Sequence, residues 1–277
     1  MINKKINLTK LSKQNLSKYK NGDPYPHIIL DDVFDREILL KILKEFNVHN
    51  KNKKIFDNPN ERKTTLNNWQ DFGETSLKFI KYLNSDNFLS FLEDLTGIDN
   101  LIADNTLQGG GLHQIDYGGY LKIHADFNKH PKTNLDRRIN VLIYLNKEWN
   151  EKWGGKFEMW SKDLEKCIKK ISPIFNRMVI FSTTSQSYHG HPSPLKTPAK
   201  ISRKSIAMYY YTEGRPKNEI IDGLKYHSTL FQKRSGKQDD RRMYFYNLVK
   251  KMTPKSLIKL LMPIKIRDFV IHKKRKK

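Results

Sequence analysis

The chain has 277 residues, with 52 Lys or Arg against 29 Asp or Glu, a formal net charge of +23 at pH 7. This length can bury a substantial core, and 37% hydrophobic with 11% aromatic content excludes a wholly disordered chain. A single cysteine, Cys167, excludes an internal disulfide and a cysteine-based zinc cluster, and no apolar run reaches the roughly 20 residues of a membrane span. The Lys-rich start lacks a signal-peptide apolar stretch, so the expected location is the cytoplasm. Lys, Asn and Ile are plentiful throughout, so the charge reads first as compositional bias and surface solvation, ahead of a nucleic-acid or acidic-membrane partner.

Residues 1–24 are polar and basic and read as a loose arm. Pro26-His-Ile-Ile-Leu30 reads as a short strand. Asp35 has the character of a helix N-cap, with Phe34 and Leu39 as a hydrophobic staple. Ile38, Leu39, Ile42, Leu43 and Phe46 then recur at helical spacing and predict a buried stripe. A polar stretch over 47–68 breaks the pattern. Helices are predicted near Glu74–Leu83 and Asp86–Leu95, the second capped by Ser85 and stopped by Gly97. The region 25–106 is therefore expected to be a helical support.

From about Leu107 the texture changes. Strands are predicted near Leu112–Tyr117, Tyr120–Ala125, Arg138–Leu145, Lys156–Trp160, Arg177–Phe181 and Lys204–Tyr211, each rich in β-branched and aromatic residues. Short strands after a helical preface predict an α+β protein with a mainly β core, a sandwich or jelly roll with helices packed outside it. This core is assigned to 107–215. Residues 216–277 read as a basic, mainly helical extension carrying Leu257, Ile258, Leu260, Leu261 and Met262, and ending in five basic residues.

Candidate chemistry starts at His124-Ala-Asp126. Residues two apart on a strand share a face, so this imidazole and carboxylate can converge on one cation. The pair alone is weak. Ser187-Tyr-His-Gly-His191, in a polar loop after a predicted strand, offers a second imidazole from His189 or His191. Two histidines and one carboxylate with open positions is the ligand set of non-haem Fe(II) oxygenases. In the last strand, alternation places Arg203, Ser205 and Ala207 on one face. A guanidinium inside a barrel needs an anionic partner, and its planar donors suit a carboxylate. In the strand Arg138–Leu145, Ile139, Val141, Ile143 and Leu145 share one face, and Arg138, Asn140 and Tyr144 share the other, as though lining a polar interior. Tyr144 can give its phenol to the same carboxylate.

At these motifs the chain resembles the Fe(II)/2-oxoglutarate-dependent dioxygenases of the prolyl 4-hydroxylase-like branch. The resemblance runs from about Leu107 to Thr212. It rests on Gly-Gly-Tyr-Leu-Lys-Ile-His-Ala-Asp126, Arg-Arg-Ile-Asn-Val-Leu-Ile-Tyr-Leu-Asn146, Trp-Gly-Gly-Lys-Phe-Glu-Met-Trp160, Tyr-His-Gly-His-Pro192 and Arg-Lys-Ser205, in the family's order. It implies a double-stranded β-helix with His124, Asp126 and His189 as catalytic metal ligands, the match of Tyr-His-Gly favouring His189 over His191. It also implies that Arg203, with Tyr144 and Ser205 beside it, binds 2-oxoglutarate. O2 would be the second cosubstrate and ascorbate a reductant. Where many relatives carry a Tyr as a further cosubstrate contact, this chain has Ile115, and Tyr117 and Tyr120 are the candidates to replace it. A Thr common in the third core strand is Asn140.

The implied activity is hydroxylation of an unactivated C–H, on a prolyl residue or a related amino-acid substrate, with release of succinate and CO2. Asp126 argues against the halogenating relatives, which lack this carboxylate, and Tyr209 against the nucleic-acid demethylating ones, which carry an Arg there. Phe157, Trp160 and Gln114 are candidates for the substrate mouth, with Phe157 better suited to the barrel core. The basic termini could dock an acidic or nucleic-acid-associated partner. Two other classes compete: a catalytically silent or zinc-binding jelly roll, which leaves Arg203 unexplained, and a basic RNA- or membrane-surface-binding module on the same scaffold.

Overall fold

The computed structural model describes residues 1–46 and 51–252. The chain opens with a helix, α1 (Leu8–Lys20), capped by the Asn7 side chain on the Lys10 amide. Residues 8–20 are thus no loose arm. Leu8 and Leu11 pack against the main core and Tyr19 is fully buried in it, while the many lysines stay on the solvent side. Scattered apolar positions in a Lys-rich segment sufficed to dock it.

Strand β1 (His27–Asp31) leads into α2 (Arg36–Glu45), whose cap Asp35 accepts from the amides of Glu37 and Ile38. Phe34 and Leu39 are both fully buried, as the staple requires. The polar stretch that follows holds a hairpin, β2 (Lys54–Asn58) and β3 (Glu61–Leu66). The helical support region therefore also contributes strands to the sheet. Polar side chains hid the hairpin because β3 alternates between solvent and a polar interior, so it carries no apolar period. Helices α3 (Glu74–Leu83) and α4 (Asp86–Thr96) lie where predicted, and α4 stops at Gly97, whose φ of 68° suits glycine at a helix end. The Ser85 hydroxyl turns back to the Tyr82 carbonyl and does not cap the helix.

The remaining strands are β4 (Ile102–Ala103), β5 (Gly111–Ile115), β6 (Tyr120–Ala125), β7 (Asp136–Tyr144), β8 (Phe157–Trp160), β9 (Cys167–Ile171), β10 (Arg177–Ser182), β11 (His189–His191), β12 (Arg203–Thr212) and β13 (Leu230–Phe231). A final helix, α5 (Arg241–Met252), closes the described chain. The Leu- and Ile-rich segment and the Lys-rich tail fall outside the described residues. Among those described, no helix is long and apolar enough to cross a membrane.

The strands form one curled antiparallel sheet in the order β1-β10-β7-β12-β5-β3-β6-β11-β8-β9. Strand β3 joins two layers: β1-β10-β7-β12-β5 on one side and β6-β11-β8-β9 on the other. This is a double-stranded β-helix, a jelly roll. The first layer buries Ile139, Val141, Ile143, Met178, Ile180, Ile206 and Met208 under α1–α4 in one large cluster. Its opposite face turns Tyr144, Val179 and Phe181 towards Phe157 and Met159 of the second layer. The two-residue period of β7 thus divides helix-facing aliphatics from interior polar groups as expected, except at its start. There Tyr210 pairs with Ile139 and Tyr211 with Arg137, so Arg138 is skipped in the ladder and the alternation changes phase. Arg137 enters the interior, while Arg138 reaches Glu219 and Thr212 at the rim.

Candidate metal centre

His124 ends β6 and His189 begins β11, and the two are direct partners across the sheet. Their rings lie 4.5 Å apart. Each Nδ1 sits 2.8 Å from the backbone carbonyl two residues earlier in the chain, Lys122 or Ser187. A carbonyl only accepts, so each ring carries its proton on Nδ1 and presents a bare Nε2. The Nε2 atoms face Asp126, at 3.5 Å from Oδ1 for His124 and 3.3 Å from Oδ2 for His189. Three acceptors pointed at one another repel unless a cation lies between them. One ligand atom from each of His124, Asp126 and His189 falls within 4.8 Å of the others, so this donor set fits a divalent metal ion with two imidazoles and one carboxylate.

Outer contacts fix the carboxylate. Asn140 Nδ2 donates to Asp126 Oδ2 at 2.7 Å, and Arg137 pairs with the same oxygen at 3.0 Å while its Nε donates to Asn140 Oδ1. Arg137 is itself stacked against Tyr209, 3.5 Å from the ring centre, and Phe127. Burial alone would raise the Asp126 carboxyl, but Arg137, followed by His189 and His124, outweighs it and holds the group ionised well below its ordinary value. Burial, then the neighbouring His124, lowers His189, which keeps it neutral as a ligand must be. Phe181 and Phe157 cover the His189 ring at 4.8 and 5.4 Å, and Phe231 covers His124 at 5.3 Å.

Across the interior stands Arg203, 4% exposed. Its Nε donates to the Gly155 carbonyl and its Nη2 to the Tyr144 hydroxyl at 3.2 Å. Among the described residues no carboxylate lies within 4 Å of it, so a fully buried cation rests on neutral groups alone. Burial lowers its proton affinity, opposed by Tyr144. Such a charge is costly without an anion, and an organic dicarboxylate held between it and the metal would compensate it. Ser205 is buried on the same face, paired with Tyr144.

Other sequence-based candidates fall elsewhere. Tyr120 gives its hydroxyl to the Asn58 carbonyl, beside the hairpin that the sequence did not reveal. Gln114 pairs in register with Lys204 and Thr64 and faces away from Arg203, with its amide on Asp116. Trp160 points out of the barrel into a small cluster with Ile123 and Tyr188, because the strand period puts Phe157 and Met159 inside. Phe157 packs in the core against His189. Within the Ser187–His191 segment, His189–His191 form a strand, β11, whose only period is its two histidines, and His191 is not part of the three-residue cluster. Sequence reasoning missed Arg137, hidden by the bulge, along with Lys63 of β3 and Phe231 of the C-terminal extension. Two clefts of about 750 and 430 Å³ lie away from this centre, around Arg138, Asp99 and Pro216.

Comparison with known proteins agrees with this geometry. Residues 110–211 match the 2OG-Fe(II) oxygenase superfamily. Among solved structures, a prolyl hydroxylase from Trichoplax adhaerens, in complex with a hypoxia-inducible factor oxygen degradation domain peptide fragment, is 20% identical. It aligns over 74% of this chain and 91% of its own, with a TM-score of 0.53. A prolyl-4-hydroxylase from Pseudomonas putida is 13% identical over 75% of this chain and all of its own, TM-score 0.52. A prolyl 4-hydroxylase from Phytophthora capsici is 18% identical over 88% of this chain and 74% of its own, TM-score 0.51. At these identities the likeness establishes a shared fold. No curated protein sequence matches the chain significantly.

Proposed function

We propose that residues 110–211, which match the 2OG-Fe(II) oxygenase superfamily, form an oxygenase core that takes Fe(II), 2-oxoglutarate and O2, and that the protein hydroxylates an unactivated C–H of a prolyl residue or a related amino-acid substrate. The observation that carries this reading is the convergence of His124, Asp126 and His189 opposite a buried guanidinium with no counter-ion. The prolyl hydroxylase fold of the solved neighbours supports the substrate class, and one of those neighbours holds a peptide.

His124 Nε2, His189 Nε2 and an Asp126 oxygen would hold the iron, and Arg203 with Tyr144 would hold the far carboxylate of 2-oxoglutarate. When bound, the iron and 2-oxoglutarate supply the oxidising power for O2-dependent hydroxylation, with release of succinate and CO2. Asn140 and Arg137 keep the Asp126 carboxylate oriented and ionised. Phe157, Phe181 and Phe231 form a collar that keeps water from the imidazoles and holds their rings in place. Tyr144 stays protonated, since burial raises it further than Arg203 lowers it, and so can donate to a carboxylate. A silent or hydrolytic jelly roll would retain the ligand set but gain nothing from Arg203.

The test is anaerobic loading with Fe(II) and 2-oxoglutarate, then a succinate-release screen over proline-containing peptides and free amino acids. Substrate-stimulated succinate is expected, with Asp126→Ala abolishing it. Equal turnover in Asp126→Ala would overturn the assignment.

A further inference from the structure

His191 is left over by this account. It lies two residues beyond His189 on β11, so both side chains share the inner face, and the ladder to β6 shifts register between them. His191 is 3% exposed, yet neither Nδ1 nor Nε2 has a hydrogen-bond partner. Leaving both polar atoms of a buried imidazole unmet is costly, and an aliphatic side chain there would avoid the cost. The charges acting on its ring are those of Arg203 first, then Lys63 and His124, so it lies within electrostatic reach of the guanidinium.

Two other polar side chains of this inner face are taken. Lys63 is paired with Glu61 at 3.0 Å, and His113 Nε2 is held by the Gly109 carbonyl at 3.1 Å. Ile115, paired with Arg203 across the sheet, has no donor to offer. Besides the Ser205 hydroxyl on the same face, the anion that Arg203 awaits therefore has the His191 ring as a further uncommitted donor.

We propose that His191 is a cosubstrate-binding residue, giving a ring N–H to the distal carboxylate of 2-oxoglutarate beside Arg203 and Tyr144. This rests on the oxygenase reading of the same site. In a dry pocket the hydrogen bond is charge-assisted, and it meets the needs of donor and carboxylate together. Met, Leu or Val at this place would leave the carboxylate to Arg203, Tyr144 and Ser205.

The experiment is anaerobic calorimetry on the Fe(II)-loaded full-length protein with two ligands: 2-oxoglutarate, and 2-oxovalerate, which ends in a methyl where 2-oxoglutarate has its distal carboxylate. Expected for His191→Leu is a tenfold or greater loss of 2-oxoglutarate affinity, with unchanged affinity for 2-oxovalerate and for Fe(II). His191→Gln, which keeps a donor, should recover most of the loss and controls for folding. Wild-type affinity for 2-oxoglutarate in His191→Leu overturns the proposal, as does an equal loss for both ligands. A wild-type protein that binds Fe(II) but neither 2-oxo acid sinks the oxygenase reading itself, so the two failures are told apart.

Discussion

Asn140 Nδ2 lies 2.7 Å from Oδ2 of Asp126, and Arg137 holds the same oxygen from the other side. The carboxylate nearest the two imidazoles is thus clamped before any cation arrives. Asn140→Ala should let it rotate and leave Arg137 Nε without its acceptor. Partners of this kind change metal affinity by about 10–100-fold, so the expected result is weaker Fe(II) binding in that range, read by anaerobic titration, with the fold retained.

Arg203 is a buried charge resting on neutral oxygens. Replacing even a buried ion pair by well-packed apolar groups is often neutral or stabilising by roughly 1–4 kcal/mol, and this guanidinium has no counter-charge to lose. Arg203→Met is therefore expected to leave the metal-free protein at least as stable as wild type in urea, while 2-oxoglutarate binding falls by about 100-fold or more. A destabilised variant with intact binding would contradict the role given to this residue.

Gly190 sits between the two histidines of β11. A Cβ there would stand 2.7 Å from the Leu121 carbonyl oxygen and 2.9 Å from that of Lys122, both rigid backbone atoms of β6. Gly190→Ala should push β11 away from β6 and part His189 from His124. Circular dichroism would change little, whereas Fe(II) affinity would drop sharply.

Burial, followed by the charge of Lys63, pushes the His113 imidazole down to about 3, and burial, then Arg203, lowers His191 as well. Both stay neutral in the folded chain, whereas an unfolded imidazole takes a proton near pH 6.5. The unfolded state therefore binds more protons as pH falls below about 6.5, and stability declines from there towards pH 3. The melting temperature of the metal-free protein should fall between pH 7.5 and 5, before ordinary carboxylates titrate, and His113→Gln should flatten that slope. A flat wild-type profile across this interval would count against buried neutral imidazoles.

Most of the frame could be read from residue patterns. The cap at Asp35, the helices α3 and α4, and the strands that carry His124, Tyr144 and Arg203 each have a clean period matching one buried face. Three kinds of feature escaped. The hairpin β2–β3 looks inward on polar groups, so it has no apolar signature. One skipped residue, Arg138, exchanged the roles of Arg138 and Arg137, and no period survives such a slip. The third is long-range: Phe231 reaches His124 from more than a hundred positions away, and nothing in either local stretch announces the meeting. Tyr120, Gln114 and Trp160 lie away from Arg203 and the metal centre, because composition names an aromatic or an amide without giving its side of the sheet.

One edge of β6 is shared between two visitors. Glu61 and Arg62 arrive from upstream to pair with Leu121 and Tyr120, and Leu230 and Phe231 arrive from downstream to pair with Ala125 and His124. Lys122 on that strand is anchored to Asp240, which Arg234 also grips. The stretch 110–211 by itself would have a bare strand edge beside its own metal ligand. A trimmed clone of that segment should aggregate or load iron poorly, whereas one that keeps α1–α4, the hairpin and the chain through Asp240 should load it.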